Sequence, residues 1–261
     1  MESRLHLDIA PQPDNNTCGP TCLHAIYNYY GDRIPLPQII SETPALEEGG
    51  TLAVLLGCHA LTRGYSVVLY TYNLTVFDPT WFQPGGPPIA DRLRAQMAAK
   101  DIPKLRLASQ AYLEFLRLGG VLKMEDMTGT LLRKYLKRAV PILAGLSATY
   151  LYNEPRECGL EGRADDVNGT PQGHFVVLCG YDAHERSVLV ADPMQPNPLA
   201  AQKQRYEVDL DRLMCAIMLG VVTYDSNLLV IQPNGPREDA PPGSDAESKP
   251  REPDRPTLQA D

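Results

Sequence analysis

A chain of 261 residues with 43% hydrophobic and 21% charged content is long enough to bury a substantial core and ordinary enough to fold as a globular protein. Its formal net charge of -8 excludes a nucleic-acid binder working through a basic, phosphate-neutralising face. The longest apolar stretch, Ala139 to Leu151, contains Pro141 and falls well short of the roughly 20 residues of a spanning helix, so no membrane insertion is expected.

The opening MESRLHLDIAPQPDNN has no apolar run of signal-peptide length, and the expected compartment is cytoplasmic. A short strand over Leu5 to Ile9 leads into the turn-rich segment Pro11 to Thr17. A helix is predicted from Cys18 to Tyr30, with Leu23, Ile26, Tyr27 and Tyr30 on one stripe and Gly31 at its C-cap. A second helix, Leu52 to Arg63, stops at Gly64, and strand-type residues follow from Ser66 to Asn73. Residues 89–101, 108–118 and 128–138 read as helices, with Gly119, Gly120 and Pro141 as breakers.

Beyond Pro141 the pattern turns to strands: Ile142 to Tyr152, His174 to Tyr181, and Ser187 to Ala191 across a five-residue turn. Residues 209–218 read as a helix and Leu228 to Ile231 as a last strand. Helices first and an antiparallel sheet afterwards define an α+β fold. Between Tyr152 and His174 runs a polar, glycine-rich stretch, long enough inside a compact domain to suggest a functional loop. From residue 232 to 261 the chain is rich in proline and charge and is expected to be a disordered tail beyond a single domain over 1–231. There is no internal repeat.

Six cysteines (Cys18, Cys22, Cys58, Cys158, Cys179, Cys215) are too scattered for a disulfide framework and are expected to be reduced. Cys58, Cys179 and Cys215 lie in apolar surroundings and read as core residues. Cys18 is different. It stands where a turn hands over to a helix, and the unpaired N–H groups of that helix end favour a thiolate. Gly19 leaves room beside the sulfur, and Pro20 fits a first turn where no donor is lost. Gln12, across the turn, can join the Cys18 backbone N–H in an oxyanion hole. Of five histidines (His6, His24, His59, His174, His184), His174 opens the buried-looking strand HFVVLCGYD, suited to hold a base rigidly. An antiparallel pairing with Ser187–Ala191 brings Asp192 back beside it.

The order Gln…Cys-Gly-Pro-x-x-Leu, His-Phe-Val-Val-Leu-x-Gly-Tyr and Asp-Pro resembles the bacteriocin-processing type of papain-like cysteine peptidases, peptidase family thirty-nine, over residues 9–31 and 172–194. Known members face the cytoplasm, and several remove leader peptides after a Gly-Gly pair. The resemblance implies a papain-like fold, with a helical part carrying the nucleophile and a sheet carrying His and Asp. It implies the roles of oxyanion glutamine for Gln12, nucleophile for Cys18, base for His174 and orienting aspartate for Asp192. Thr17 replaces the acidic residue usual before the nucleophile of transporter-linked members, so the likeness is closer to the free-standing branch.

These readings point to a cysteine peptidase acting on a peptide or protein substrate through a Cys18 acyl-enzyme, with no cofactor and no metal. A transferase, in which an amine intercepts the same acyl-enzyme, would use identical residues. A peptide-binding module that has lost catalysis is the non-enzymatic alternative. Oligomeric state, and the role of residues 64–140, are not legible.

Overall fold

The computed structural model describes residues 3–46, 49–159 and 162–234. The expected tail therefore lies outside the described residues, apart from its first three. The fold is α+β, with elements in the order β1 (Ser3–Arg4), α1 (Cys18–Tyr29), α2 (Leu36–Glu42), α3 (Ala53–Thr62), β2 (Tyr65–Thr71), α4 (Ile89–Ala99) and α5 (Pro103–Arg117). There follow β3 (Val121–Lys123), α6 (Gly129–Leu136), β4 (Ile142–Ser147), α7 (Ala148–Tyr152), β5 (Glu157–Cys158) and β6 (Arg163–Ala164). The chain ends with β7 (Gly173–Asp182), β8 (Ser187–Ala191), β9 (Arg205–Asp209), α8 (Leu210–Leu219) and β10 (Asn227–Pro233).

The main sheet has the strand order β3-β2-β10-β4-β7-β8-β9, with β1 added to β7. Its pairings are antiparallel except β2 with β3. Strand residues alternate between two helical layers, as the pleat requires. On one face, Gly57 of α3 packs against Leu229, and Tyr112 of α5 donates to Asn227 Oδ1 at 3.5 Å. On the other, the Tyr70 and Tyr135 hydroxyls meet at 2.7 Å, docking α6. A register shift between Leu178 and Gly180 then turns Tyr181 towards Gly129 and Leu210 on that second face.

Several expectations are corrected. Leu5 to Ile9 is not a strand: Leu5, Leu7 and Ile9 point into the core, and Leu5 N–H donates to the Cys179 carbonyl at 2.7 Å. The predicted strand Ile142 to Tyr152 ends at Ser147, whose hydroxyl accepts from Tyr150 N–H and so starts α7. α2, β3 and β9 were not anticipated; each is short and only half apolar. The last strand runs two residues further than Ile231, because Gln232 and Pro233 pair with Ser66 and Tyr65. Gly31 and Gly64, at φ +83° and +84°, close α1 and α3 in the left-handed conformation, as the sequence predicts. Cys215 is exposed and Cys58 only partly buried, so of the three cysteines assigned to the core Cys179 alone is buried there.

One packing constraint bears on the site. A β carbon on Gly145 would lie 2.2 Å from the Asp225 carbonyl oxygen and 2.9 Å from Phe175 Cε1. Backbone cannot move aside as a flexible side chain can. Gly145→Ala should therefore destabilise the protein by about 1–3 kcal/mol, read as a lowered midpoint of thermal unfolding by circular dichroism; an unchanged midpoint would contradict this packing.

Candidate active site

Cys18 is the first residue of α1 and is 8% exposed. Thr17, at the N-cap, makes no side-chain cap; its hydroxyl donates to the Asp14 carbonyl at 3.3 Å instead. The first N–H groups of α1 therefore stay available to a negative charge at its end. Thr21 N–H begins the intrahelical pattern by donating to the Thr17 carbonyl at 3.0 Å, and Pro20 loses nothing by lacking a donor. Gly19 serves packing rather than access. A β carbon there would meet Thr51, Leu56 and Phe175 side chains at 2.9 to 3.2 Å. Cys22, one turn on, is fully buried and donates to the Phe175 carbonyl at 3.2 Å. Burial, with Cys18 and Asp192 nearby, holds its pKa well above the usual thiol range. It is an inert thiol.

β7 carries His174 opposite Leu146 of β4, and β8 delivers Asp192 immediately after Ala191, which pairs with Val177. His174 Nε2 lies 2.9 Å from Asp192 Oδ1, and both side chains are buried, at 3% and 0% exposure. The same Oδ1 accepts Met194 N–H at 2.9 Å, and Oδ2 accepts the hydroxyls of Tyr152 and Tyr206, each at 2.7 Å. Four donors thus surround one buried carboxylate. Burial opposes its charge, but His174 and these hydrogen bonds prevail and hold its pKa at about 2. Burial likewise opposes the imidazolium, yet the charges of Asp192 and Cys18, with hydrogen bonds to both side chains, raise the His174 pKa to about 10. With Nε2 committed to Asp192, Nδ1 is the nitrogen left for the sulfur.

Gln12 is brought to the same place by backbone. Its N–H donates to the Pro193 carbonyl at 2.9 Å, next to Asp192 in sequence. Arg205 of β9 pins the preceding segment by donating to the Leu7 carbonyl and pairing with Asp8. Gln12 Nε2 donates one proton to the Asp14 carbonyl at 2.8 Å, while Oε1 is buried without a partner. The amide's second proton remains unassigned by any of these bonds. Gln12, Cys18 and His174 line one cleft of about 700 Å³. Asn16, Gly49 and Gly50 form part of its wall, Tyr152 and Gly173 another, and Glu154, Pro155, Glu157, Thr170 and Gln172 a third.

The four residues singled out from the sequence thus converge at the cleft. Tyr152 both lines the cleft and supports Asp192 through its hydroxyl, whereas Tyr150 is exposed beside Arg212. Tyr206 was missed altogether. Its signal is the inward alternation of Arg205–Asp209, visible only once that segment is known to be a strand. His184 is solvent-exposed, as expected. No helix among the described residues is long and apolar enough to cross a membrane.

The fold is α+β, with a cysteine and a buried histidine–aspartate pair meeting at one cleft, and comparison with known proteins specifies the family. The family model described as Peptidase_C39 like family matches residues 4–212, and the chain belongs to that family. No curated protein matches it. Among solved structures it is similar to a C39-like peptidase from Bacillus anthracis, at 14% identity and a TM-score of 0.49, covering 90% of this chain and 98% of the other. It is also similar to xylellain, a cysteine protease from Xylella fastidiosa, at 14% identity and a TM-score of 0.42 over 89% and 86% of the two chains. A third is a double glycine motif protease from an AMS/PCAT transporter in complex with its leader peptide, at 13% identity and a TM-score of 0.42 over 89% and 95%.

The electrostatics of the His–Asp pair are directly measurable. Asp192→Asn removes the larger of the two charges that offset burial, so the His174 pKa should fall from about 10, as read by NMR titration of the ring protons. At about pH 6, alkylation of Cys18 by iodoacetamide should then slow at least about tenfold. A His174 titration that ignores the substitution would refute the assignment of cause.

Proposed function

We propose that the chain hydrolyses peptide bonds by covalent catalysis, with Cys18 as nucleophile, His174 as acid and base, Asp192 as the orienting carboxylate and Gln12 as an oxyanion donor. The observation that carries this reading is the buried relay of two tyrosines, Asp192 and His174, ending at a cysteine on a helix N-terminus in an open cleft. The imidazolium favoured by Asp192 is the partner of the Cys18 sulfur. Thiolate attacks the carbonyl carbon, and the oxyanion accepts hydrogen bonds from the Cys18 backbone N–H and the free proton of the Gln12 amide. His174 protonates the departing amine, which leaves an acyl-enzyme. Neutral His174 then takes a proton from water, whose oxygen attacks the thioester and expels the thiolate.

Residues 153–159 and 162–173 act as a wall that orders extended peptide in the cleft. Its own order supports this: Glu157 and Thr170 exchange backbone hydrogen bonds at 3.1 and 2.9 Å, and Arg156 donates to the Asp166 and Val167 carbonyls. The reading includes the cytoplasm, a reducing compartment, as the place of action, supported by six free cysteines.

Cys18→Ala should abolish cleavage of a peptide library followed by mass spectrometry, with no loss of thermal stability. Gln12→Ala should lower kcat by about a hundredfold or more while leaving Cys18 alkylation intact, because the donor acts on the oxyanion and not on the thiolate. Full turnover by Cys18→Ala would rule out the mechanism.

A further inference from the structure

One buried titratable group reaches the cleft without a part in this chemistry. Asp225 lies between the 3-10 turn Gly220–Thr223 and β10, is 7% exposed, and lines the cleft beside Gly173. A β carbon on Gly173 would sit 1.8 Å from Asp225 Oδ2 and 2.8 Å from Thr223 Oγ1. Glycine at 173 is thus what admits the carboxylate next to the residue preceding the catalytic histidine. The Asp225 backbone is fixed as well: its N–H donates to the Gly220 carbonyl at 2.8 Å, and its carbonyl covers Gly145.

The charge around this carboxylate is unbalanced. No described side chain forms an ion pair with it within 4.0 Å, and the positive charges that reach it from further off are those of Lys104 and His174. Burial raises its pKa to about 7, against the lowering effects of the Thr223 hydroxyl, Lys104 and His174. The neighbouring Tyr112 of α5 is a buried phenol and contributes no charge near neutrality. The third part of the wall adds Glu154 and Glu157, and burial together with Glu154 raises the Glu157 pKa. Lys104 of α5 is the basic side chain of the cleft apart from His174, and its ammonium is placed over the Tyr224 ring, 5.2 Å from the centroid.

We propose that Asp225 is a specificity-determining residue of this cleft, its buried carboxylate accepting a cationic substrate group such as a lysine or arginine side chain. A buried carboxylate with no cation in direct contact is costly, and a cation brought next to it by the substrate lowers that cost in a region of low dielectric. A neutral or acidic group at the same place gains nothing. The inference rests on Cys18 being the nucleophile, since the cleft is defined by it.

A pair of thiol reagents tests both without a known substrate. Trimethylammonioethyl methanethiosulfonate carries a permanent positive charge; its dimethylbutyl analogue is an uncharged isostere. Each transfers its thioalkyl group to a thiolate and releases methanesulfinate. Rates at Cys18, resolved by mass spectrometry, give a cationic-to-neutral ratio from which thiolate reactivity cancels. At about pH 8 the ratio should fall about three- to tenfold in Asp225→Asn. In the wild type it should rise as pH increases through about 7, where Asp225 ionises, a result that needs no variant to fold. A ratio unchanged in Asp225→Asn, or flat with pH in the wild type, overturns the proposal. If His174→Ala slows the neutral reagent, the catalytic reading survives that outcome. If the neutral reagent labels Cys18 no faster than the other cysteines and ignores His174→Ala, both fall together.

Discussion

A carboxylate at zero exposure is costly to bury, and the arrangement around it explains much of the rest. Asp192 is tolerable because Tyr152, Tyr206, His174 and the Met194 N–H all donate to it. Each donor comes from a different piece of the fold: α7, β9, β7 and the loop after β8. Leaving any of them out would strand charge in the interior, so the sheet, the short helix after β4 and the edge strand are held in one relative position. The histidine is oriented as a consequence. Stability and reactivity thus draw on the same four hydrogen bonds.

Cys18 is fixed by separate means. α1 packs against β7 through Gly19 and Phe175, and Cys22 ties the helix to the Phe175 carbonyl. These contacts set the helix end against the strand that carries His174. The cleft is the seam between the two constructions, with Gln12 crossing it on the backbone bond to Pro193. Catalytic geometry here is a product of ordinary packing, glycine where surfaces meet and satisfied polar groups where charge is buried.

The sequence reveals the pieces whose physics is local. α1 and α3 are readable because an apolar stripe ends at a glycine, and β7 and β8 because long apolar runs flank a polar turn. Cys18, His174, Asp192 and Gln12 are readable as residue types in order. What stays hidden depends on contacts between distant segments. β9 is a strand because Asp192 and β8 need covering, not because RYEVD is strongly apolar. α7 continues directly from β4 without a breaker, since Ser147 serves as both strand end and cap. Asp225 looks like a turn residue until Gly173 and Gly145 are placed against it.

The separation of Cys18 from His174 along the chain also shapes how reactivity arises. Synthesis delivers Cys18 more than 150 residues before His174, and the two meet only through contacts between distant segments. A nascent or partly unfolded chain therefore carries a plain thiol with no imidazolium beside it. Pairings of such long range close late, after local helices have formed. On the proposed mechanism, reactivity at Cys18 is in this way postponed until those distant segments have met.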